Sequence, residues 1–103
     1  MFKISSSDLE IVKRILGNHV SNCEVRVFGS RVNGSEAKKY SDLDLVIIGR
    51  SKLSSRKLTE LKGAFQESDL SIRVDIMDWY RIPAGFKKMI DAKYEILQNA
   101  RSE

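Results

Sequence analysis

Cysteine occurs once in this chain, at Cys23, so no internal disulfide can form and the reducing cytoplasm is the expected compartment. Long hydrophobic runs are absent as well: the longest, Leu45 to Ile48, falls far short of a membrane span. The opening Met-Phe-Lys-Ile-Ser-Ser-Ser-Asp has no apolar stretch of the signal-peptide kind. Aromatic residues do not interleave with basic ones, which argues against direct nucleic-acid binding on a stacking platform. The single histidine, His19, lies at a helix end, where capping is the better reading than general-base work. No linker, low-complexity stretch or internal repeat divides the chain, so one domain over residues 1–103 is expected. A hydrophobic fraction of 42% is enough for one modest core. The net charge of +4 suits a polyphosphate ligand or an acidic partner as well as it suits a nucleic acid.

Helix and strand patterns alternate along the chain. Ser7 and Glu10 have the spacing of a capping box, and Leu9, Val12, Ile15 and Leu16 make one apolar stripe, which predicts a helix from Ser7 to Gly17. Glu24 to Phe28 reads as a strand, broken by Gly29-Ser30, which opens a short helical turn. Gly34 to Tyr40 reads as a polar loop leading to Ser41-Asp42-Leu43-Asp44-Leu45-Val46-Ile47-Ile48, a core strand stopped by Gly49. Ser54 or Ser55 caps a helix with Leu58, Leu61, Ala64 and Phe65 on its apolar face. Ile72 to Met77 is a third strand. Pro83 suits the first turn of a final helix, with Phe86, Ile90, Tyr94 and Leu97 as its stripe.

Chemistry concentrates on three acids. Side chains on a strand alternate, so Asp42 and Asp44 share a face at the mouth of the second strand. Two carboxylates so placed repel each other unless a cation lies between them, and an oxygen-only site suits Mg²⁺. Asp75 is an acid within an otherwise apolar strand, and an ion pair with Arg73 on the same face would account for it. If a neighbouring strand brings Asp75 beside the other two, three carboxylates can hold two metal ions roughly 3.5–4 Å apart, as in two-metal phosphoryl chemistry. Upstream, Gly29 allows close backbone approach to a phosphate, and Ser30 can hydrogen-bond to one. Arg31 can reach a phosphate or form a salt bridge with a nearby acid.

Gly29-Ser30, Asp42-x-Asp44 on a strand and a later Asp75 on another strand resemble the minimal nucleotidyltransferases of the DNA polymerase β superfamily. The flanks, Val27 to Gly34 and Val74 to Trp79, resemble that family too, although the spacer from Arg31 to Ser41 is one residue longer than usual. The resemblance implies an α/β (α+β) nucleotidyltransferase fold, a small mixed β-sheet flanked by helices. It implies that Gly29, Ser30 and Arg31 hold the nucleotide, that Asp42, Asp44 and Asp75 bind Mg²⁺ (two ions), and that Asp75 helps activate the attacking hydroxyl. ATP would be the donor. Among such proteins the chain is similar to the MNT antitoxins of HEPN–MNT toxin–antitoxin pairs, which bind a helical HEPN ribonuclease and can transfer AMP to its tyrosine. The partner expected is therefore a HEPN-family toxin, with hetero- or homo-oligomers possible.

Two rival functions remain open at this level. Nucleotide transfer to a small molecule generally needs further domains to hold the acceptor. A non-catalytic antitoxin that silences its partner by occlusion needs no acids at all, and three acids on two strands argue for catalysis.

Overall fold

The computed structural model describes residues 2–33 and 42–101. Helix α1 spans Ser6–His19 and is followed by strand β1, Glu24–Phe28, and a short helix α2, Ser30–Asn33. Strand β2 spans Leu43–Ile48, helix α3 Ser55–Gln66 and strand β3 Val74–Asp78. A 3₁₀ turn at Trp79–Arg81 leads to helix α4, Ala84–Ala92, and strand β4, Glu95–Gln98. The loop expected over Gly34 to Tyr40, with Lys38, Lys39 and Tyr40, lies outside the described residues.

The strands form one sheet in the order β3-β2-β1-β4. β1 runs antiparallel to both β2 and β4, while β2 and β3 are parallel. The sheet is thus mixed, as the family resemblance implied. Alternating side chains give it two apolar faces. Val25, Val27, Leu43, Leu45, Ile47 and Ile76 face α1 and α3 through Val12, Leu16, Leu61 and Phe65. On the other face Phe28, Val46 and Met77 meet Phe86 and Ile90 of α4.

Helix caps follow the serines, with one shift. The cap of α1 is Ser5, whose hydroxyl accepts from the Asp8 amide at 3.2 Å, so the box expected at Ser7 and Glu10 is displaced. Three consecutive serines offer three caps, and Ser5 is the one that puts the buried Asp8 in the first turn, where its carboxylate reaches Ser71. Ser54 caps α3, its hydroxyl accepting from the Lys57 amide at 3.0 Å. Pro83 takes the cap position of α4 rather than its first turn.

The end of the chain corrects the sequence reading. The final helix stops at Ala92, and Lys93 is extended, with φ −159°. Residues expected to continue the helix instead form β4 along β1, Arg26 pairing with Ile96 and Val27 with Glu95. Tyr94 and Leu97 still pack inward, Tyr94 on the α4 face and Leu97 on the α1 face. The Gln98 side chain donates to the carbonyls of Val20 and Cys23, both at 2.9 Å, which pins the strand. β3 also begins two residues later than Ile72, where the ladder to β2 starts with Leu43 opposite Val74.

Candidate active site

Parallel pairing of β2 with β3 decides where the acids meet. Asp44 stands directly opposite Asp75, and Asp42 lies two residues before Asp44 at the open end of β2. Asp42 and Asp75 flank the guanidinium of Arg73. The Asp75 carboxyl is pushed above the usual aspartate range by burial and by Asp42, with Arg73 and Lys62 pulling the other way. Asp44 is also pushed up, first by burial and then by the charges of Asp75 and Asp42. The expected pairing of Arg73 with Asp75 is present at 3.8 Å, and the same guanidinium stands 4.0 Å from Asp42. This cation is 76% exposed, so it screens the acids weakly.

Gly29 has a role that its position in the sequence only half reveals. Phe28 pairs with Asp44, so the chain turns at Gly29 directly beside that carboxylate. Its φ is +82°, and a Cβ built there would fall on Oδ2 of Asp44. Both facts exclude a side chain. Ser30 then opens α2, and the Val32 amide closes the turn onto the Gly29 carbonyl at 3.1 Å. Across the sheet the groups therefore line up as Asp75 on β3, Asp44 on β2 with Asp42 just before that strand, and the Gly29-Ser30 turn at the end of β1.

Residues 9–99 match the nucleotidyltransferase domain family. The chain belongs to that family. It is 47% identical over 95 residues to the probable protein adenylyltransferase MntA of Haemophilus influenzae, covering 92% of this chain and 82% of the relative. Its fold matches a chain of a toxin–antitoxin crystal structure with AMP-PNP at TM-score 0.71 and 18% identity, over 90% of this chain and 74% of that one. It also matches a chain of the tri-AMPylated Shewanella oneidensis HEPN toxin in complex with MNT antitoxin at TM-score 0.67 and 15% identity, over 94% and 74% of the two chains. At such identities the structural matches establish the nucleotidyltransferase fold alone.

The fit of a metal to this nucleotidyltransferase can be judged from its donors. Among the described residues, no three acidic, histidine or cysteine side chains already form a metal cage. Mg²⁺ does not require one: it takes one or two carboxylates and completes its shell with water and substrate phosphates. Mutually repelling carboxyls with raised pKa values are the donor set that a hard cation would relieve, so the residues fit the ion. Arg31 is placed differently from the acids. It is buried, donates to the Lys3 carbonyl at 2.7 Å, and its charge is felt by Asp8. Trp79 packs with the α4 cluster as a partly buried core residue, and Arg26 lies over its ring at 5.4 Å and over that of Tyr94 at 4.1 Å. Asp78, unremarked in the sequence, is buried and accepts from the amides of Leu53 and Tyr80 at 2.8 and 3.1 Å. Its only outward signal was its place at the end of an acid-bearing strand.

Proposed function

We propose that this nucleotidyltransferase moves AMP from ATP to a hydroxyl of a HEPN-family partner, a tyrosine, and so serves as the antitoxin of a toxin–antitoxin pair. The observation that carries the reading is the placement of Asp75 opposite Asp44, with Gly29 against Asp44 on the other side. The adenylyltransferase name of the 47%-identical relative supports the choice of AMP and of a protein acceptor.

In the proposed reaction the Gly29-Ser30 turn holds the outer phosphates of ATP, with backbone and hydroxyl donors facing the oxygens. Asp42, Asp44 and Asp75 would hold Mg²⁺, which supplies charge neutralisation on the phosphates when bound. The acceptor oxygen attacks the α-phosphorus, the bond from that phosphorus to the bridging oxygen breaks, and pyrophosphate leaves. The acceptor proton passes to the Asp75 carboxylate and then to water. Arg31 acts from behind by anchoring α2 to the N-terminal segment. Catalysis here is positioning and electrostatics, with no covalent enzyme intermediate.

The test is direct. The protein and its HEPN partner are incubated with ATP and Mg²⁺, and intact masses of both are recorded. AMP-sized increments are expected on the partner and not on this chain, and they disappear when Mg²⁺ is chelated. A tight complex that silences the partner without any increment would replace transfer with occlusion.

A further inference from the structure

In-line displacement puts the attacking oxygen and the leaving pyrophosphate on opposite sides of the α-phosphorus. The linear order of groups across the sheet then fixes the side from which the acceptor comes. The phosphate turn is on the β1 side of the Asp42/Asp44 pair, so the acceptor approaches from the β3 side. β3 is an edge strand, and its outer edge pairs with no strand among the described residues. Along that edge lies a groove of about 380 Å³, lined by Lys62, Phe65 and Gln66 of α3, by Leu70 and Ile72, and by Arg73 and Asp75. Its size is at the lower end of the range for bound small groups, about 300–1,000 Å³.

We propose that this groove is the acceptor site, and that it takes an extended, acidic segment of the partner protein whose hydroxyl side chain reaches over the β3 edge to Asp75. The inference rests on the adenylyl-transfer reading above. Charge selects the occupant. Lys62 and Arg73 are both exposed, and Asp75 is the groove's one acid. Once a cation binds the three carboxylates, Arg73 no longer has Asp42 and Asp75 to itself and its charge turns to the segment in the groove. The free edge of β3 offers main-chain hydrogen bonds to an extended chain, and the apolar floor of Phe65, Leu70 and Ile72 accepts a side chain between them. The partner's hydroxyl oxygen bonds to the α-phosphorus of ATP, pyrophosphate departs with the bridging oxygen, and the hydroxyl proton goes to Asp75.

Two exposed positions test the groove while all three acids stay in place, and because the Lys62 charge also reaches Asp75, the uncharged Gln66→Trp is the variant that isolates the groove. Lys62→Glu reverses one charge, and Gln66→Trp fills the space. With the HEPN partner as acceptor, each should lower kcat/KM for the partner by about tenfold, while the thermal shift produced by ATP and Mg²⁺ stays as in the wild type. For the wild type, KM for the partner should rise with salt, and Lys62→Glu should flatten that rise. Transfer by both variants at the wild-type rate would overturn the groove and leave the transferase reading intact. A wild-type protein that labels nothing would overturn both together.

Discussion

Two aspartate sites in this small fold have opposite electrostatics. Asp8, in the first turn of α1, accepts from the amide of Ser71 at 3.1 Å and from its hydroxyl at 2.5 Å. Those hydrogen bonds hold its carboxyl below the usual aspartate range despite burial. Asp44 and Asp75 receive no comparable compensation and are pushed up by burial and by each other's neighbourhood. The first site ties α1 to the loop before β3, and its charge is satisfied by the protein. The second has the exposed Arg73 guanidinium, 4.0 Å from Asp42 and 3.8 Å from Asp75, to set against its charges. The contrast sets an acid held by the protein's own hydrogen bonds against acids raised by burial and by one another, as the proposed site requires.

The largest effect should come from Asp44→Asn. It removes one of the proposed metal-holding charges, so AMP transfer should fall by at least about 10²–10³-fold. The metal-free thermal midpoint should hold or rise, because the variant lacks a repelling charge next to Asp42 and Asp75. Calorimetry without metal and mass spectrometry with it check both halves. A variant that transfers AMP normally would end the comparison, since Asp44 would then be no more functional than Asp8.

Gly29→Ala should be next. The substitution forces an L-residue to φ +82° and places its Cβ on Asp44, so it acts on the fold and the site together. A loss of about 1–3 kcal/mol is expected from the strain, with transfer impaired beyond that by a displaced Asp44. Ser30→Ala is the control: it should weaken ATP binding several-fold and leave the midpoint unchanged. Denaturant titrations and ATP titrations of the pair separate backbone need from hydroxyl need.

How far the sequence could be read follows the same division. Strand and helix patterns from Leu9 to Phe65 were legible because each element buries one periodic face. Asp42 and Asp44 were legible as a pair because they precede a core strand. The register that sets Asp75 opposite Asp44 was not, because pairing is a long-range choice that periodicity does not encode. Nor was the contact of Gly29 with Asp44, for the same reason. β4 was hidden for a different reason. Phe86, Ile90, Tyr94 and Leu97 keep helical spacing, and a four-residue strand shows little alternation of its own. What makes it a strand is the unpaired edge of β1, together with the Gln98 bonds to Val20 and Cys23.

Asp8→Ala should affect stability alone. It strips the Ser71 amide and hydroxyl of their acceptor in a site where Asp8 is 5% exposed, which costs about 1–3 kcal/mol. Transfer per folded molecule should be unchanged at temperatures well below the midpoint. Loss of transfer in a fully folded Asp8→Ala protein would mean that the clasp positions β3 and Asp75, and the two sites would no longer be separable.

The smallest effect, and the sharpest for the comparison, is on pH. Both sites share the ordinary aspartate value of 3.8 in the unfolded chain. The folded value is lowered for Asp8, so its contribution is complete above 3.8 and is lost as the pH falls from there through the folded value. For Asp44 the folded value is raised, so the folded state holds its proton more tightly than the unfolded one. That advantage is present below 3.8 and is lost as the pH rises from 3.8 through the folded value. Thermal midpoints of the metal-free protein, of Asp8→Asn and of Asp44→Asn should therefore diverge on opposite sides of that point. The gap between the wild type and Asp8→Asn should close on acidification. The gap by which Asp44→Asn exceeds the wild type should open on raising the pH and then stay constant. Mg²⁺ with ATP should shrink the second gap and leave the first alone, because only the second site has charge left for a cation to neutralise. As the pH rises the wild type should gain on Asp8→Asn and lose ground to Asp44→Asn, and a wild type that gained on both variants, or lost ground to both, would show that the acids differ in place and not in kind.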